Sequence, residues 1–263
     1  MEWIMIANGS ALLITKVQND YCKGGPIEVE GIEDTIPIIN SVKGCFDLVI
    51  HIRDWHPTNH MSFITDNLSS VVGEEKHNNE SQTMWPAHCI KDTLGANFHK
   101  YIDTNKDIMF GMGMDSALEN VSPFYTGPGV DMPTELSSVL RSMGVGRIFV
   151  CGVVFEHCVK QTAMDAKSLQ YQTFVIDDAS LGLNSAKRDT ALAQMLRAGV
   201  IQVFSHEILN GDVLVEGPAL KPNPIDKHHI VYPLKNKLPE TQNFDDINDI
   251  MYNHFTGLDQ GME

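Results

Sequence analysis

Short apolar runs, each about the length of one strand and separated by segments of helical period, constrain this chain more than any other feature. Residues 11–15 (Ala-Leu-Leu-Ile-Thr) form such a run, and similar runs fall at 47–52, 147–151, 172–176 and 200–204, with a weaker one at 107–110. Near-continuous apolar strands of this kind are buried on both faces, which is the habit of parallel sheets. Between them lie helical patterns. Residues 133–143 run to Gly144, 158–169 repeat Val159, Thr162, Ala163 and Ala166, and 187–196 run to Gly199. Alternating strands and helices give an α/β class with a mostly parallel sheet flanked by helices. Ligands in such sheets bind beyond the carboxyl ends of the strands. Lys16, Asp54 and Cys158 each follow a strand-like run, so they are expected to converge there.

Residues 67–82 are polar and rich in Asn and Ser, and read as a loop, a lid in form. Past about residue 210 the pattern changes: Pro218, Pro222, Pro224, Pro233 and Pro239 interrupt any long element. The expected organisation is a domain over 1–209 and an irregular C-terminal extension over 210–263, with Ile247, Ile250, Met251 and Phe255 at helical spacing near its end. A net charge of −15 argues against nucleic acid or an anionic membrane as a partner. No apolar stretch is long enough to span a bilayer. Five scattered cysteines do not read as a disulfide framework, and a reducing cytoplasm is the expected setting.

Two groups of residues carry chemistry. In the first, Asp54 and His56 are two apart at a strand end and so face the same side. His88, in Trp85-Pro86-Ala87-His88-Cys89, would complete a facial set for one divalent ion. Carboxylate plus imidazole suits zinc, iron or manganese. His60 is a further candidate ligand or neighbour. In the second, Cys158 stands where a strand gives way to a helix. A helix start lowers a thiol pKa, and the N–H groups of Val154 and Cys158 could form an oxyanion hole. Cys45 and Cys151 read as inert buried thiols, and Cys22 and Cys89 take no assigned role. Glu156 and His157, just before the cysteine, are expected to point away from it. Asp20 reads as a structural acceptor in a turn.

These residues carry a resemblance. Val17-Gln18-Asn19-Asp20-Tyr21-Cys22, Arg53-Asp54-Trp55-His56-Pro57 with His60-Met61-Ser62-Phe63, Trp85-Pro86-Ala87-His88-Cys89, and the run from Cys151 to Ala163 resemble the nicotinamidases. These belong to the isochorismatase-like cysteine hydrolases, and the likeness spans about residues 10–206. It implies a doubly wound sheet and hydrolysis of nicotinamide to nicotinate and ammonia. In that family a cysteine attacks the amide, an aspartate carries its proton to ammonia, a lysine assists, and a metal binds the pyridine nitrogen. Carried over, Cys158 is the nucleophile and Asp54, His56 and His88 hold the metal. Tyr21 and Trp85 wall the ring, and the Val153–Val154 peptide is cis.

The chain departs from the family at two positions. Lys16 stands where the family has its aspartate, immediately before Val17-Gln18-Asn19-Asp20. Met112, before Gly113 and ahead of Phe124, stands where the family has its lysine. The alternative register, Phe110-Gly111, supplies no lysine either, and Lys106 sits too early. Three readings follow. One is a degenerate nicotinamidase that keeps a pocket for a pyridine or amide ligand. Another is an active amidohydrolase with a rearranged triad in which Lys16 supplies charge or acts as base. The third is an interaction protein without catalysis. A homo-oligomer is compatible with all three.

Overall fold

The structure is a computed structural model that describes residues 9–64, 75–77, 81–126 and 133–213. Six strands form one sheet: β1 (Ser10–Thr15), β2 (Leu48–Asp54), β5 (Ile108–Met112), β6 (Arg147–Gly152), β7 (Gln172–Ser180) and β8 (Ile201–Val203). Their order is β5-β2-β1-β6-β7-β8 and every neighbouring pair is parallel. The chain first winds outward from β1 through β2 to β5, then returns to β6 on the other side of β1. The sheet is therefore doubly wound, with its reversal between β1 and β6, where α/β folds open a binding crevice.

Strand alternation builds a core on each face. Ala11 and Leu13 of β1, with Ile148 and Val150 of β6, enter one core. Leu12 and Ile14, with Phe149 and Cys151, enter the other. On the first face α2 (Glu135–Ser142) contributes Leu136 and Leu140, α3 (Lys160–Ser168) Ala163 and Ala166, and α4 (Ser185–Arg197) Ala191 and Met195. On the second, α1 (Ile32–Lys43) contributes Ile36, Ile39 and Val42, and α5 (Ser205–Asn210) contributes Ile208. Two helix starts are capped by side chains: Thr134 Oγ1 accepts from the Leu136 amide at 3.3 Å and Asn184 Oδ1 from the Lys187 amide at 2.9 Å.

Some elements differ from the sequence reading. Helix α1 was not anticipated, because Pro37 lies inside it and breaks the expected pattern. The polar stretch 67–82, read as a loop, contains Glu75–His77 (β3), paired antiparallel with Ser81–Thr83 (β4). Residues 67–74 and 78–80 lie outside the described residues. The boundary placed at 209/210 falls within the last turn of α5. The extension and its helical spacing at 247–255 lie, from residue 214 on, outside the described residues. No helix among the described residues is long and apolar enough to cross a membrane.

Gly152 ends β6 with φ of +109°, opposite Thr15. A Cβ there would lie 2.2 Å from the Thr15 carbonyl oxygen. The glycine lets β1 and β6 run together up to the crevice. Gly152→Ala is expected to cost about 2–4 kcal/mol, through strain and the parting of these strand ends. Urea unfolding should show it as a lowered midpoint with unchanged slope.

Candidate active site

Where β1 ends, the chain turns sharply. Lys16 takes a left-handed φ of 54°, and its amide donates to the Ile52 carbonyl at 2.8 Å. Its side chain is buried, with Nζ 2.8 Å from Asp54 Oδ1 and in hydrogen-bonding contact with the Cys158 thiol. Gln18, two residues on, fixes the end of β2: Nε2 donates to the Asp54 and Ala96 carbonyls at 2.8 Å, and Oε1 accepts from the Asp54 amide at 2.8 Å. Tyr21 O–H donates to Asp54 Oδ2 at 2.6 Å. Asp54, itself fully buried, thus has a cation on one oxygen and a phenol on the other.

Burial alone would lower the Lys16 pKa, yet Asp54 and Cys158 together hold it above the ordinary lysine value. Burial likewise penalises the Asp54 carboxylate, but Lys16 and His56 keep it well below the usual range. Both shifts favour an ammonium paired with a carboxylate.

Asp54, His56 and His88 bring one ligand atom each within 4.8 Å of one another. Asp54 Oδ2 lies 3.7 Å from His56 Nε2 and 3.6 Å from His88 Nε2. The other ring nitrogens are engaged: His56 Nδ1 is 3.0 Å from the Gly113 carbonyl and His88 Nδ1 is 2.9 Å from that of Pro86. A carbonyl accepts, so each Nδ1 carries a proton and each Nε2 faces the carboxylate. The donor set fits a divalent ion. Gly113 (φ +66°) makes room for the His56 ring, since a Cβ there would lie 2.2 Å from it. His60 is held differently, with Nδ1 2.8 Å from Ser62 Oγ and Nε2 3.0 Å from the Leu118 carbonyl. It stacks beside His56 at 4.2 Å, and burial pushes its pKa down to about 4.

Cys158 lies in a π-type turn, Phe155–Val159, that leads into α3, and the Val159 amide reaches back five residues to the Val154 carbonyl at 3.2 Å. The preceding Val153–Val154 peptide is cis, and Thr15 Oγ1 sits 2.9 Å from the Val153 carbonyl. The helix start does not deliver a lowered thiol pKa. Burial raises it, Lys16 opposes and Asp54 adds to the rise, for a net upward shift.

A cavity of about 600 Å³ including its mouth opens here, lined by Lys16, Tyr21, Trp85, His88, Val154 and Cys158. Met112 is not among its lining residues. It is buried in the core of the α2–α3–α4 face. Two titratable residues, His157 and Glu119, belong to the cavity though the sequence reading did not place them there. His157, expected to point away, lines it and meets the Trp85 ring edge-on at 5.1 Å. The wider π-type turn is the physical reason. Glu156 does point away, accepting from the Leu183 and Asn184 amides at 3.0 and 2.9 Å. Glu119 also lines the cavity, buried, with its pKa raised by burial. No local period in the sequence marks it. Asp20 accepts from the Cys89 amide at 2.6 Å, a structural role. Cys45 and Cys151 are buried, and burial raises both thiols.

Chemically the site offers a thiol, a fixed ammonium and a metal-competent triad in one crevice. Because Lys16 neutralises Asp54, Lys16→Met should leave a buried carboxylate uncompensated. Metal-free protein is expected to lose about 3 kcal/mol. Zinc at about 100 times its dissociation constant should restore about 2.7 kcal/mol. Unfolding in chelator and in zinc measures both, and an unchanged metal-free stability would contradict the pair's assigned role.

Residues 10–207 match the family model for the isochorismatase domain. Among curated proteins, the Acinetobacter baylyi nicotinamidase is 30% identical over 206 residues, covering 77% of this chain and 96% of the relative. The Mycobacterium tuberculosis nicotinamidase/pyrazinamidase is 34% identical over 208 residues, covering 74% and 98%. An Arabidopsis thaliana protein named "Probable inactive nicotinamidase" is 26% identical over 204 residues, covering 75% and 93%. Of solved structures, the Acinetobacter baumanii nicotinamidase/pyrazinamidase superposes with TM-score 0.73 at 31% identity, covering 77% of this chain and 99% of that one. The L. infantum PnC1 in complex with nicotinate gives 0.68 at 28%, covering 78% and 98%. The Pyrococcus horikoshii pyrazinamidase in complex with zinc gives 0.61 at 29%, covering 74% and 99%. The chain belongs to the isochorismatase domain family and, within it, to the nicotinamidases.

Proposed function

We propose that this chain is a nicotinamidase-like protein that holds a pyridine carboxamide or carboxylate beside a divalent metal but has lost most or all of its amide hydrolysis. The observation that carries this is Lys16. A buried ammonium 2.8 Å from Asp54 occupies the position of the family's proton-carrying carboxylate. Hydrolysis of an amide by a thiol needs the thiol proton removed and a proton placed on the leaving ammonia. An ammonium held protonated accepts nothing. The Cys158 thiol, raised by its burial, is also less available as thiolate. Loss of general acid–base assistance typically costs about 10²- to 10⁴-fold, and more where residues act as a unit.

Ligand binding is supported by what the cavity keeps. Tyr21 and Trp85 offer ring-contacting walls, and His157 closes on Trp85. Asp54, His56 and His88 would hold the ion, which supplies a Lewis-acid contact for a ring nitrogen when bound. Nicotinate in the L. infantum relative and zinc in the P. horikoshii relative are the ligands this reading brings to the present chain.

One observation favours a second reading, a working hydrolase. Glu119 puts a buried carboxyl with a raised pKa on the same cavity wall, where a protonated acid could serve ammonia as it leaves. The assay is ammonia release from nicotinamide by wild type, Cys158→Ala and Glu119→Gln. The first reading expects wild-type turnover at or near the Cys158→Ala background. Wild-type turnover near about 10 s⁻¹, a typical enzyme rate, abolished by Cys158→Ala would overturn it. Loss of that turnover in Glu119→Gln would then establish the second.

A further inference from the structure

We propose that Cys22, Glu33 and His99 form a second metal site, separate from the Asp54 triad, that takes zinc as a structural ion. The three residues come from parts of the chain far apart in sequence. Cys22 follows the short 3-10 turn Asn19–Tyr21, Glu33 is the second residue of α1, and His99 lies in the connection between β4 and β5. Yet a thiol, a carboxylate oxygen and an imidazole nitrogen, one from each, lie within 4.8 Å of one another. In a tetrahedral zinc site with bonds of about 2.0–2.3 Å, such atoms stand about 3.3–3.6 Å apart.

The surrounding bonds engage the ligand atoms only lightly. One Glu33 oxygen, Oε1, accepts from the Lys23 amide at 2.8 Å. The His99 backbone is fixed by its amide's bond to the Val17 carbonyl at 2.9 Å, and its ring meets Tyr101 edge-on at 5.4 Å. His99 Nδ1 accepts from the Tyr101 amide at 3.4 Å, a long bond that ligation would give up, directly at Nδ1 or by moving the ring proton there to free Nε2. Cys22 is buried, and its S–H donates to the Gln18 carbonyl at 3.3 Å. Binding replaces that S–H by a sulfur–metal bond and releases the proton to solvent. A divalent ion then meets one thiolate and one carboxylate, so the occupied site is neutral. A mixed sulfur, nitrogen and oxygen set selects zinc over calcium or magnesium, and water would fill the fourth position.

The site shares no ligand with the Asp54 triad, but the same strand end serves both. Gln18, whose carbonyl accepts from the Cys22 thiol, holds the Asp54 backbone through its side chain. An ion here would clip the turn bearing Tyr21 to the start of α1 and to the 91–107 connection, bracing the crevice wall from behind. None of the three side chains lines the cavity, so the site is structural.

Cobalt(II) titration of the full chain tests this, because only a sulfur ligand gives a thiolate-to-cobalt charge-transfer band and the Asp54 triad contains none. The expected result is a band that saturates near one equivalent, is displaced by zinc and survives Cys158→Ser. It should vanish in Cys22→Ser, and His99→Ala should weaken the binding that produces it by at least about tenfold. His99 is only partly buried, so that variant decides the matter if Cys22→Ser does not fold. Absence of the band, or a band that both Cys22→Ser and His99→Ala leave intact, would overturn the proposal.

Discussion

Lys16 and Asp54, both buried, face each other across 2.8 Å, and the polar architecture of the site is arranged around that pair. At this separation the attraction is about 6 kcal/mol for an effective dielectric near 20. Taking both ions out of water costs several kcal/mol each. The pair therefore contributes little net stability while making either charge alone expensive. Its supports follow from that balance. Gln18 fixes the Asp54 backbone and Tyr21 occupies the second carboxylate oxygen. Gly152 allows β1 to run close beside β6, so that Lys16 and Cys158 emerge side by side.

The same pair ties together properties that would otherwise look unrelated. It gives Asp54 a counter-charge without a metal, so the triad can persist empty or filled. On the reading proposed above, it holds a proton on Lys16 where the family's carboxylate would move one. It also places a cation beside Cys158, whose thiol nonetheless stays above its ordinary value because it is buried and faces Asp54 as well. On the same reading, a binding pocket survives such a change while the proton path does not. Ring-contacting walls and histidine ligands depend on shape and lone pairs, whereas hydrolysis depends on a group that can both accept and donate.

Much of this was legible in the sequence. Buried parallel strands announce themselves as unbroken apolar runs, so the positions of β1, β2, β6 and β7 and the convergence of Lys16, Asp54 and Cys158 follow from the pattern. Helix α1 did not, since Pro37 hides a helix whose buried face is otherwise regular. His157 was misplaced because side-chain direction was argued for an ordinary helical turn and the chain makes a wider one. Glu119 and the role of the Gln18 side chain depend on tertiary approach between segments tens of residues apart, which no local period reports. Met112 shows the reverse limit: its alignment with a family lysine was readable, but its burial in the apolar core, away from the cavity wall, required the fold.

The central claim is that Lys16 is a fixed ammonium and not a proton carrier. Nitrogen-15 NMR of the lysine side chains in the metal-free full chain, with Lys16 assigned by comparison with Lys16→Met, measures this directly. The account predicts that the Lys16 signal keeps its ammonium shift from acid through neutrality and beyond the ordinary lysine value of about 10.4. Titration of that signal near neutral pH would make Lys16 a competent base and contradict the account.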